Sequence, residues 1–77
     1  NISVSPKPVK DILSISNKNN VKLSNYTLID NNGRIIKESS LNVDSNFTID
    51  VSDLSNGIYF LKIVSENETL TKKIIKN

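Results

Sequence analysis

The sequence predicts an all-β fold, a small antiparallel sandwich of about seven strands. Ile, Val and Thr supply 21 of the 77 residues, while Ala, the best helix former, is absent. Those three side chains are stiff at the first torsion and fit a pleated sheet better than a helix. Apolar clusters recur about every 8–12 residues between Asn, Ser, Asp, Gly or Pro, the spacing of short strands in a sandwich. Within the clusters apolar and polar residues alternate, most strictly where Phe47, Ile49 and Val51 interleave with Thr48, Asp50 and Ser52.

Ile2 and Val4 alternate with serines to open the first strand, and Pro6-Lys7-Pro8 stops it, because proline can neither continue a helix nor donate to a ladder. Asp11 to Ser16 reads as a half-buried strand with Leu13 and Ile15 on one face. After the polar loop Asn17-Lys18-Asn19-Asn20, Val21 to Ile29 forms a third strand with Tyr26 and Leu28 sharing a face. Asp30-Asn31-Asn32-Gly33 supplies residues that tolerate positive φ, so Ile35 and Ile36 return as the second arm of a hairpin. Ser39 to Asn46 is polar apart from Leu41 and Val43 and reads as a loop with a short edge strand. Phe47 to Ser52 is next, and Asp53 to Ile58 turns the chain into a strand over Tyr59 to Val64. A Leu at 54, a Gly at 57 and a Tyr at 59 match the tyrosine corner of immunoglobulin-like sandwiches, placing Tyr59, Leu61 and Ile63 inward. Ser65 to Glu68 makes the last turn, and Thr69 to Ile75 is the final strand.

Composition bounds function as firmly as it bounds fold. A chain of 77 residues supports one small domain, residues 1–77, and no second core. With no Cys and no His there is no thiol nucleophile, disulfide, zinc finger or imidazole base, so the chain is not expected to be an enzyme or to bind a metal or other cofactor. A net charge of +2 with four aromatic residues does not fit a nucleic-acid binder. No apolar run approaches the roughly 20 residues of a membrane span, and the opening residues lack the pattern of a signal peptide. The sequence therefore predicts one compact, monomeric module with something missing upstream of it.

Two acidic features invite a chemical reading and fail it. Asp50 and Asp53 lie three apart in a strand-to-turn segment, which does not hold two carboxylates across a cleft; Asp53 is expected to cap the turn by accepting backbone N–H bonds. Asp30-Asn31-Asn32-Gly33 begins like a calcium loop, but the twelfth position, where a bidentate Glu is required, is Leu41.

The charge excess lies at the far end. Residues 1–60 hold six basic and six acidic side chains, whereas residues 61–77 hold four basic and two acidic. Lysines on a terminal edge strand guard against aggregation. On pattern alone that reading leads; the sharper alternative is that a basic, strand-forming terminus is a handle that a partner can recognise by strand addition or by charge. The candidate partner-binding residues are Lys72, Lys73, Ile74, Ile75 and Lys76.

The order of these pieces resembles a known family. Pro6 and Pro8 followed by Val9 to Ile15, then Tyr26 to Asp30 running into Gly33-Arg34-Ile35-Ile36, then Ile49-Asp50-Val51, then Leu54 to Ile63, and finally Thr71 to Lys76, together resemble the type A C-terminal sorting domain of the Bacteroidota type IX (Por) secretion system. The resemblance implies a secretion signal at the C-terminus of a cargo protein. It implies transit through the periplasm, export across the outer membrane, delivery to the cell surface or medium, and removal by a sortase-like peptidase. The implied partners are the type IX machinery, an outer-membrane shuttle protein, that peptidase, and a cargo domain on the N-terminal side. Carried over residue by residue, Gly33 and Gly57 match the family's turn glycines, Tyr59 its aromatic after Gly-x, and Lys73 to Lys76 its Lys-x-x-Lys ending; Lys7 stands where the family usually has Asn. The alternatives are a fibronectin-like spacer or adhesion module and a carbohydrate-binding module, the last disfavoured because there is no Trp and Tyr59 is assigned to the core.

Overall fold

A computed structural model describes residues 2–66 and 68–77. Among these residues seven antiparallel strands form two sheets: β1 (Ile2–Ser5), β2 (Ile12–Asn17), β3 (Leu23–Asp30), β4 (Ile35–Val43), β5 (Phe47–Asp50), β6 (Gly57–Ser65) and β7 (Thr69–Lys76). One sheet has the order β1-β2-β5 and the other β4-β3-β6-β7. The chain crosses between sheets after β2, β4 and β5, which is the Greek-key connectivity of an immunoglobulin-like sandwich with an extra strand beside the third. The expected all-β sandwich of seven strands is therefore the observed fold.

Alternation builds the core. Val4, Leu13, Ile15 and Ile49 from the smaller sheet face Leu28, Tyr59, Leu61 and Ile63 from the larger, all buried. Two register shifts adjust that alternation. Between Leu23 and Asn25 a β-bulge resets the phase of β3, so Leu23, Tyr26 and Leu28 all contribute to the inner side despite their uneven spacing. A second shift leaves Ile36 as the extra residue of β4 opposite Leu28 and Ile29; Ile36 packs against the core while Ile35 is exposed. Tyr26 and Phe47 stack between the sheets at a centroid distance of 6.2 Å.

Three expectations are corrected. Over Ser39 to Asn46 the expected edge strand is present but longer than expected: Ser39 to Val43 is the second half of β4, paired with β3 through Ser39, Ser40 and Val43, and only the residues after Val43 are loop. Polar side chains there accompany an edge strand whose outer side meets water. Val21 and Lys22 precede β3 instead of opening it. Pro6-Lys7-Pro8 does more than stop β1: it carries the chain from the smaller sheet to the larger, where the Val9 N–H donates to the Ile75 carbonyl (2.9 Å) and the Asn77 N–H donates to the Val9 carbonyl (3.0 Å). This parallel bridge joins the start of the chain to β7, and Val9 is wholly buried. The final turn includes Asn67, outside the described residues; its flanks are joined by the Ser65 N–H donating to the Glu68 carbonyl (2.8 Å).

The crossover from β2 to β3 hangs on one buried polar side chain. Asn17 Nδ2 donates to the Val21 carbonyl (2.8 Å) and its Oδ1 accepts from the Val21 N–H (3.0 Å), so the amide acts as one more residue of strand. The Asn17 N–H in turn donates to Asn46 Oδ1 at 2.7 Å. Asn17→Ala leaves both Val21 groups unpaired and is expected to lower stability by about 2 kcal/mol, the cost of buried polar groups without partners; a parallel shift of the urea unfolding midpoint would measure it.

Candidate partner-binding site

The site is built on β7, whose position follows from its pairing with β6. Gly57 pairs with Lys76, Tyr59 with Ile74, and Leu61 with Lys72. Since Tyr59 and Leu61 point inward, so do their partners. Ile74 is 2% exposed and Lys76 is 7% exposed, while Lys72 is half-buried at a cleft of about 520 Å³ shared with Ile2, Leu23 and Leu70. Lys73 and Ile75 occupy the opposite face, with Ile75 43% exposed. The five residues grouped by sequence are thus contiguous in the chain but divided between core and surface.

Backbone accessibility divides β7 as well. Hydrogen-bonding groups along a strand alternate between its two sides. Pairing with β6 uses one side, and the Val9 bridge covers the other at Ile75 and Asn77. The uncovered edge runs along Thr69, Thr71 and Lys73.

The motif residues hold the frame behind this strand. Tyr59 Oη donates to the Ser55 carbonyl at 2.7 Å, four residues upstream, while the ring is buried, which is the tyrosine corner expected from the sequence. Leu54 packs against the core and its N–H donates to the Val51 carbonyl at 3.1 Å, tightening the same turn. Gly57 has φ +152° and Gly33 has φ +84°, with open space where a Cβ would stand. Both positions therefore require glycine for backbone reasons and not for room. Pro6 and Pro8 are exposed, and both preceding peptide bonds are cis.

Two carboxylates organise turns at the margins of the frame. Asp30 Oδ1 accepts from the Asn32 and Arg34 N–H groups, both at 2.9 Å, closing the hairpin of β3 and β4. The Arg34 backbone bond, joined by those of Asn32 and the Arg34 guanidinium, holds the Asp30 carboxyl below its ordinary value. At the end of β5 it is Asp50, and not Asp53 as expected, that caps the turn. Asp50 Oδ1 accepts from Ser52 Oγ (2.6 Å) and from the Ser52 N–H (2.9 Å), bonds that lower its pKa. Asp53, in the turn between β5 and β6, instead pairs with Lys37 of β4 at 3.1 Å, an exposed contact of small energetic weight. The reason is local: Asp50 stands two residues before the N–H that needs an acceptor, whereas Asp53 already lies beyond the turn's first residues. Among the described residues no group of three acidic side chains could hold a metal ion.

A family model for the secretion system C-terminal sorting domain matches residues 3–77. The chain belongs to this family. It is a C-terminal sorting domain of the type IX secretion system, and the match takes in all seven strands apart from Ile2, the first residue of β1. A search of curated proteins found no match. Membership makes the domain a sorting signal, a tag carried by cargo, and implies contact with the type IX machinery and export to the cell surface or beyond.

Two measurements check this local chemistry. Tyr59→Phe should cost about 1 kcal/mol in urea unfolding by removing the corner hydrogen bond while keeping the ring. For the carboxylates the sign follows from their lowered pKa values: the stability they contribute is present above the ordinary value of 3.8 and is lost as pH falls through the lower folded-state values. The double variant Asp30→Asn with Asp50→Asn should therefore show a flatter decline of unfolding midpoint between about pH 5 and pH 2 than the parent.

Proposed function

We propose that this chain is the C-terminal sorting signal of a larger secreted protein, read by the type IX machinery after the cargo has reached the periplasm by another route. An outer-membrane shuttle protein receives the folded domain, the cargo is carried to the surface, and a sortase-like peptidase then removes the domain. The family match over residues 3–77 carries this reading. The candidate strand supports it, since β7 is an edge strand with Lys73 and Ile75 on its solvent face. A folded tag of this kind engages a receptor without occupying any functional surface of its cargo.

The peptidase step places a requirement on the chain ahead of β1. Cleavage needs an extended, accessible segment, so it is proposed to fall upstream of Ile2, where β1 begins the folded body. Released domain would then be recovered with its seven strands intact.

The test is a reporter carrying a periplasmic signal at its N-terminus and residues 1–77 at its C-terminus, expressed in a host with a working type IX system. Surface or extracellular reporter is the expected result, with periplasmic retention when the outer-membrane translocon is removed. Deleting Lys72 to Asn77 should also leave the reporter in the periplasm. A fibronectin-like spacer would give no surface reporter with either chain, and export of the truncated chain at the parental level would contradict a role for the terminal strand.

A further inference from the structure

The two outer faces of the sandwich differ in chemistry. On the smaller sheet, β1, β2 and β5 turn Ser3, Ser5, Ser14, Thr48 and Asp50 outward, and Ile12 is the exception. On the larger sheet, Ile35, Ile29, Phe60 and Lys73 lie side by side across all four strands, and Ile58 pairs with Ile75 in the next row. Ile35, Ile58 and Ile75 are 58%, 37% and 43% exposed, and Ile29 and Phe60 are half-buried. An antiparallel sandwich ordinarily presents polar residues on both outer faces. Five large apolar side chains contiguous on one face, with serines on the other, mark an interaction surface.

Charge selects the occupant. Lys73 adjoins Phe60 in the apolar row, and Lys62 stands in the following row beside Thr27 and Thr71. Glu38 lies at the far end of that row on β4, with Thr27 between it and Lys62. Arg34, next to Ile35, is already paired with Asp30 at 3.3 Å. A second copy of this chain would set its own lysines against these, so the surface fits a partner with an apolar centre and carboxylates at the rim. The cargo is on the wrong side for the patch, because β1, through which an upstream cargo joins, belongs to the opposite sheet.

We infer that the outer face of the four-stranded sheet, centred on Phe60 and bounded by Ile35, Ile58, Ile75, Lys62 and Lys73, is the surface by which the outer-membrane shuttle protein of the type IX machinery holds this domain, through an apolar patch flanked by acidic side chains. The inference rests on the sorting-signal reading and deepens it. It extends the recognition site from the terminal strand to β6 and the β3–β4 hairpin, and it leaves Ile74 and Lys76 in the fold, not in the contact. Lys73 and Ile75 belong to both.

The test uses the intact chain on the same reporter. Ile58→Thr with Ile75→Thr keeps β-branched residues on the sheet while removing the apolar contact, and Ile12→Thr is the control on the other face. The double variant should reduce surface reporter by about tenfold, the scale of losing two central contacts, with the control within about twofold of the parent. Lys62→Glu with Lys73→Glu should reduce it similarly, whereas Lys7→Glu with Lys18→Glu should not. Thermal unfolding of each variant separates lost recognition from lost folding; should the double variant unfold, Ile75→Thr alone and the charge pair decide the matter. Binding of each variant to purified shuttle protein supplies the direct readout, and weaker binding in step with weaker export is the expected result. Parental export and binding by the patch variants would overturn the inference while leaving the sorting reading in place. Failure of the parent fusion to export would overturn that reading itself. A dimer of the parent chain that the same substitutions dissociate would assign the patch to self-association and also overturn the inference.

Discussion

The register of β6 is the constraint on which the other features depend. This strand pairs with β3 on one side and β7 on the other, so its phase is imposed on both neighbours. A slip of one residue would exchange Tyr59, Leu61 and Ile63 for Ile58, Phe60 and Lys62, driving a lysine into the core and emptying it of the tyrosine corner. Two local devices prevent that slip. Gly57 admits a backbone conformation that a side chain resists, and the bond from Tyr59 to the Ser55 carbonyl fixes where the strand begins. With β6 so placed, Ile74 must be inside and Ile75 outside.

That division changes the meaning of a Lys-Ile-Ile-Lys ending. As a linear signal it would be read whole. In a paired strand, Lys73 and Ile75 are offered to solvent, while Ile74 fills the core and Lys76 lies beneath the bridge made by Val9. Substituting Ile74 therefore acts through folding and substituting Ile75 through the surface, although the two residues are adjacent. A chain this small, with no disulfide to brace it, has little stability to lose, and the Val9 bridge ties the segment between β1 and β2 to the last strand.

Much of this was legible in the sequence wherever the cause was local. Strict alternation announced β5, turn chemistry at Asp30 to Gly33 announced the hairpin, and the spacing of Leu54, Gly57 and Tyr59 announced the corner. What escaped has non-local causes. The full length of β4 depends on β3 accepting a strand rich in serine, and its bulge at Ile36 is visible only once the two strands are in register. The capping role passed from Asp53 to Asp50 because the turn began earlier than composition indicated. Asn17 looked like loop and proved to be a strand surrogate, since an amide's ability to imitate a peptide group matters only where Val21 happens to lie. The Val9 bridge joins residues more than sixty positions apart, and no window along the chain contains both.

The apolar outer face was hidden for a related reason. Ile29, Ile35, Ile58, Phe60 and Ile75 lie in four different strands, and in the sequence each is simply one more member of an apolar cluster with a core partner beside it. Periodicity assigns one of each adjacent pair to the interior without saying how the other will be covered. Only the strand order β4-β3-β6-β7 gathers the remainder into one surface, and only comparison with the serine-rich face of the other sheet makes that surface unusual. A spacer needs nothing of the kind, because uncovered isoleucines on a sheet raise the risk of association that edge lysines are there to reduce. Retaining such a face is economical for a domain whose work is to be held by another protein, and the lysines on it then serve twice, keeping free copies apart and favouring an acidic receptor.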